Sequence, residues 1–139
     1  MNAIHTSARC AEDQKTIRVL IVEDDALLAC ESARSLEEAG IEVAGVASSG
    51  TAALKLLNAA AADAVIISVE IEGELDGIET ARVMRARGAT PAIIFMTAHG
   101  DPDTAERIRG INPEGFLLKP VMPDDLVSAV NIALKRGTA

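Results

Sequence analysis

The sequence predicts an α/β domain in which an open parallel sheet is covered by helices on both faces. Two observations carry that prediction. From residue 17 onward, short apolar runs alternate strictly with amphipathic segments, the order that produces a doubly wound sheet. The composition is also aliphatic, 49 % hydrophobic but only 1 % aromatic, as in strands buried on both faces by Val, Ile and Leu. A chain of 139 residues is one domain by length and buries roughly two-thirds of its unfolded surface.

Residues 1–15 are polar and aperiodic and read as a flexible arm. The strands are expected at 17–22, 42–46, 64–68, 92–97 and 115–118. The helices are expected at about 25–39, 50–61, 77–87, 103–110 and 124–136. Gly40, Gly88 and Gly110 fall just past helical segments, where a left-handed cap is favoured. Asp101-Pro102 and Met122-Pro123 put proline at a first helical position. In the first helix Leu27, Leu28, Ala33 and Leu36 form the inward face, with Glu31, Arg34, Glu37 and Glu38 opposite or flanking. The core is aliphatic apart from Phe95 and Phe116. With connections this short and the last helix ending at Arg136, no second domain, linker or output module is expected.

A net charge of −8 argues against a nucleic-acid-binding face. Arg82, Arg85 and Arg87 are interleaved with apolar residues and read as a solvated helix face. Cys10 and Cys30 make neither a disulfide framework nor a metal site, and Cys30 is expected to pack as a small hydrophobe. No membrane span and no signal peptide is evident, so the expected setting is the cytoplasm.

Four predicted strands end in polar residues, and carboxyl ends of parallel strands converge on one crevice. Glu23-Asp24-Asp25 follows the first strand. One of them, Asp25, suits a helix cap; three adjacent acids repel unless a cation compensates, and their hard oxygens suit Mg²⁺. Thr97-Ala98 ends the fourth strand, where the hydroxyl is either an ordinary strand-end residue or a donor to an anion. Lys119-Pro120 ends the fifth, where a buried ammonium needs a counter-charge; its peptide bond is a candidate for the cis form. Phe116 reads as core or as a sheet-edge residue, on the face opposite Lys119. Asp76-Gly77 is a turn opening the third helix. The third strand ends in Ser68, where an acidic pocket leads one to expect a further carboxylate.

Together these motifs closely resemble the receiver domain of two-component response regulators, over residues 16–137. The resemblance implies the flavodoxin-like strand order 2-1-3-4-5. It assigns Glu23 and Asp24, with the backbone carbonyl of Glu70, to Mg²⁺; Thr97 to the switch hydroxyl; Phe116 to the switch aromatic; and Lys119 to phosphoryl contact. It aligns Ser68 with the phosphoaccepting aspartate, and a one-residue shift would put Val69 there instead. Serine forms no acyl phosphate and has no evident base, so aspartyl phosphotransfer is expected to be blocked and Mg²⁺ binding weakened or absent. Lys119 is expected to turn towards Glu23, Asp24 or Glu70.

The function so implied is a non-enzymatic, stand-alone signalling protein. Its partners would be a sensor histidine kinase or phosphotransfer protein. Its fourth helix, fifth strand and fifth helix would form a contact face, able in the family to support homodimers, including Ala105, Ile108, Val127, Val130 and Leu134. The alternative is a normally phosphoaccepting regulator in which position 68 has been changed. A flavin-binding carrier lacks the Ser/Thr-rich phosphate loop and the flanking aromatics. A serine hydrolase would have only His5 or His99 as a base, and Ser68 lacks a glycine-framed elbow.

Overall fold

A computed structural model describes residues 16–89 and 91–134. The flexible arm assigned to residues 1–15, with His5 and Cys10, and the end of the last helix at Arg136 lie outside those residues. Five strands, β1 (Arg18–Val22), β2 (Glu42–Ala47), β3 (Ala64–Ser68), β4 (Ala92–Thr97) and β5 (Gly115–Leu118), alternate with five helices. The helices are α1 (Ala26–Glu38), α2 (Gly50–Ala59), α3 (Gly77–Ala86), α4 (Pro102–Ile111) and α5 (Pro123–Leu134). All pairings are parallel and the strand order is β2-β1-β3-β4-β5, the doubly wound, flavodoxin-like architecture.

Strand alternation divides the core. Val19, Ile21, Ala64, Ile66, Ile94 and Met96 pack with residues of α1 and α5. Leu20, Val22, Val65, Ile67, Ile93 and Phe95 pack with residues of α2, α3 and α4. The helix ends follow local chemistry. Asp25, Ser49, Asp76 and Asp101 cap α1 to α4, each accepting from backbone amides of the first turn. Hydrogen bonds from Thr104, the side chain foremost, hold the Asp101 carboxyl below the ordinary carboxylate range. That cap is complete above the ordinary pKa and is lost as pH falls through the lowered one.

Several expectations are corrected. Gly40 and Gly88 do have left-handed backbones, but Gly110 lies inside α4, and Asn112, at φ 58°, makes the left-handed cap. In α1 the buried residues are Ala29 and Leu36, while Leu27 and Leu28 are exposed. Both belong to the first turn of the helix. Cys30 is exposed rather than packed. Phe95 is fully buried, but Phe116 is 45 % exposed and is not core. Of the residues named for the contact face, for most of which core packing is the alternative, Ile108 and Val130 are core. Phe116, Leu118, Met122 and Ile132 are the exposed apolar residues on that side.

The two phenylalanines should therefore differ in chemical denaturation. Phe95→Ala should cost about 3–5 kcal/mol, and Phe116→Ala only about 1 kcal/mol. Equal losses would contradict the placement of Phe116.

Candidate functional site

Glu23, Ser68 and Lys119 continue the alternation of β1, β3 and β5, so their side chains emerge on the face covered by α1 and α5. β4 separates β3 from β5. At about 4.8 Å per strand, a group on β5 reaches β3 only through a long side chain. Lys119 makes that reach. Its Nζ donates to Ser68 Oγ at 2.7 Å and to Glu23 Oε1 at 3.0 Å. Its backbone amide is held by the Thr97 carbonyl at 2.8 Å, and the Lys119-Pro120 bond is cis.

Ser68 is fully buried and Glu23 is 3 % exposed. Burying a carboxylate is costly unless it is paired, and Lys119 is the partner Glu23 has. The second Glu23 oxygen accepts from the Asp25 amide at 3.2 Å. Asp24 points outward and accepts from the Glu72 amide at 3.0 Å. Asp25 caps α1 through the Leu27 and Leu28 amides. The three adjacent acids thus have three separate tasks.

Beneath Ser68 the Asp76-Gly77 turn has a second role. A Cβ on Gly77 would lie 2.2 Å from the Ser68 carbonyl oxygen, so glycine lets α3 start against the end of β3. Asp76 closes a capping box with Glu79 and takes Arg107 of α4 at 2.7 Å.

Thr97 is fully buried at the end of β4. Its hydroxyl donates to Glu70 Oε2, and the Ala98 amide donates to Glu70 Oε1 at 3.2 Å. Glu70 itself is exposed, in the loop after β3. The sequence reading gives residue 70 a backbone role and puts its carboxylate at the rim of the pocket, within reach of Lys119; it does not anticipate Thr97 and the Ala98 amide as that carboxylate's partners, nor the role of Arg107. The acid-rich loop was visible, but not a partner 27 residues away.

The structure brings Glu23, Ser68 and Lys119 together, and Thr97 with Glu70. Asp24, next to Glu23, is tied instead to the Glu72 amide, and Phe116 is exposed on β5. Among the described residues, no group of three or more His, Cys, Asp or Glu is placed to hold a metal ion. Both Glu23 oxygens and one of Asp24 each accept a hydrogen bond, so Mg²⁺ held here would share its carboxylate ligands with Lys119 and with backbone amides. The site does not fit a serine hydrolase. The Ser68 hydroxyl meets an ammonium paired with a carboxylate rather than a base.

Residues 19–131 match the family model of the response regulator receiver domain. The transcriptional regulatory protein PdtaR of Mycobacterium tuberculosis (strain CDC 1551 / Oshkosh) is 35 % identical over 119 residues, covering 86 % of this chain and 57 % of that protein. The chain spans about half the length of the curated relatives it matches. Among solved structures, the signal receiver domain of a modulated diguanylate cyclase from Desulfovibrio desulfuricans G20 is similar at TM-score 0.81 and 35 % identity, covering 88 % of this chain and 96 % of that one. The signal receiver domain of the putative response regulator NarL from Mycobacterium tuberculosis gives TM-score 0.82 at 27 % identity, covering 88 % and 98 %.

Removing the cation should show how much the buried pair matters. Lys119→Met leaves Glu23 buried and uncompensated, and should lower the unfolding free energy by about 3 kcal/mol. Adding Glu23→Gln should recover most of that loss. A Lys119→Met variant as stable as the parent would mean that Glu23 does not depend on Lys119.

Proposed function

The chain belongs to the response-regulator receiver family of two-component signalling, and on that premise we propose that it signals through protein contacts without aspartyl phosphorylation. Ser68 carries the proposal. The end of β3 is where we place the phosphoacceptor position, and the side chain there is a buried hydroxyl. A hydroxyl forms no acyl phosphate. A serine ester, once made, would be a stable group rather than a short-lived signal.

The surroundings of the hydroxyl support this reading. A nucleophilic serine needs a neighbouring base. Ser68 Oγ instead accepts a hydrogen bond from the Lys119 ammonium, which is itself paired with Glu23. That bond draws on the oxygen lone pairs and leaves Lys119 without a free pair to remove a proton. The domain is accordingly proposed to be non-enzymatic.

Receiver domains interact with histidine kinases or phosphotransfer proteins. We propose that this chain engages such a partner, or its target, in the cytoplasm and without accepting the phosphoryl group. Phe116, Leu118, Met122 and Ile132, exposed on β5, the following turn and α5, supply the apolar contacts for a target or for a second copy. The net charge of −8 leaves nucleic acid an unfavoured partner for this domain.

The test is incubation with a phosphorylated sensor kinase, comparing the chain with Ser68→Asp. Phosphoryl uptake by the aspartate form alone is expected. Acid-stable, hydroxylamine-resistant label on Ser68 of the unaltered chain would overturn the proposal. In isothermal titration the unaltered chain should bind Mg²⁺ at least about tenfold more weakly than Ser68→Asp, having one charged oxygen ligand fewer. Equal affinities would argue against a weakened site.

A further inference from the structure

We propose that Glu70 is a resident ligand of the donor pair at the end of β4, and that its carboxylate latches the loop after β3 to the start of the β4–α4 loop. The donor pair is the Thr97 hydroxyl and the Ala98 amide. Each donates to a different oxygen of the Glu70 carboxylate. Two donors matched to the two oxygens of one carboxylate form a site for an oxyanion, and the chain fills that site from within.

Competition at Thr97 favours the latch. The hydroxyl has one proton and two acceptors in reach, the Glu70 carboxylate and the His99 carbonyl, the latter at 3.1 Å. Hydrogen bonds to a charged acceptor are roughly twice as strong as neutral ones. The His99 amide, 3.1 Å from Thr97 Oγ1, donates to the same oxygen and fixes its remaining geometry. Thr97 is fully buried, so without Glu70 its hydroxyl has only the weaker carbonyl acceptor.

The latch is the first of three ties along the loop. Asp24 holds the Glu72 amide at 3.0 Å, joining the loop to the end of β1. Asp76, where the loop enters α3, holds Arg107 of α4 at 2.7 Å. Carboxylates are the acceptors in all three. Glu70 is the one that closes on a backbone amide of the β4–α4 segment, so its release frees the start of that segment while the other two ties stay.

A tethered carboxylate acts at an effective concentration of about millimolar or above. Dissolved oxyanions therefore compete poorly for Thr97 and Ala98 until Glu70 leaves. The latch is separable from the chemistry proposed for Ser68, because Ser68→Asp leaves Glu70, Thr97 and Ala98 unchanged.

The experiment uses the full ¹⁵N-labelled chain, Glu70→Ala and Glu70→Gln, followed by amide exchange and by titration with inorganic phosphate at constant ionic strength. Glu70 is exposed, and the dispersed spectra of both variants provide the folding check. The Ala98 amide should exchange on the order of tenfold faster in Glu70→Ala, with Glu70→Gln between the two. Phosphate should shift the Thr97 and Ala98 resonances saturably in Glu70→Ala and leave them unmoved in the parent. Unchanged Ala98 exchange in Glu70→Ala, or an equal phosphate response in parent and variant, would overturn the proposal.

Discussion

The Lys119 ammonium lies between a buried carboxylate and a buried hydroxyl, on a strand two places from the one carrying the hydroxyl. The charge balance of the crevice rests on that cation. With serine at position 68, Glu23 and Lys119 form a neutral pair, and no further cation is needed to keep Glu23 in place. A carboxylate at position 68 would leave two buried anions sharing one ammonium, and a divalent ion would then be the natural compensation. Ser68 thus sets the charge balance of the site as well as its chemistry.

The carboxyl edge of the sheet holds two polar groups of different construction. The first, Glu23–Lys119–Ser68, is built from strand ends on one face and is almost closed to water. The second, Glu70 with Thr97 and Ala98, is built by a loop folding over the end of β4. The loop can do so because Gly77 lets α3 begin against the Ser68 carbonyl, which fixes where residues 69–76 enter and leave. A methyl group at position 77 would push α3 away and carry the Asp76–Arg107 tie with it.

Much of this was legible in the sequence, because strands buried on both faces announce themselves as short Val/Ile runs and their parallel pairing follows from alternation with helices, while the strand order came from the family resemblance. The caps at Asp25, Gly40 and Gly88 were legible for the same local reasons. What failed was periodicity in an alanine-rich helix. In α1 the large residues Leu27 and Leu28 point away from the core, and the small Ala29 packs with Leu36, so size misled the assignment of the inward face. Asn112 displaced Gly110 as a cap because Asn also tolerates the left-handed region. Glu70 was read as a rim residue, which its exposure matches, yet its partners lie on another strand and no local pattern points to them.

Phe116 shows why a strand's neighbours matter more than its own pattern. It pairs in register with Phe95 and shares that residue's face of the sheet, yet one is fully buried and the other nearly half exposed. β5 is the edge strand, and α4 packs chiefly on α3 rather than over β5. Arg107, bound to Asp76, and Arg85 of α3, bound to Glu114 just before β5, hold α4 and the start of β5 to α3. On the face that carries Phe116, α4 does not lie over β5, while α5 packs on the other face. The exposure of Phe116 follows from α4 packing on α3 rather than over β5.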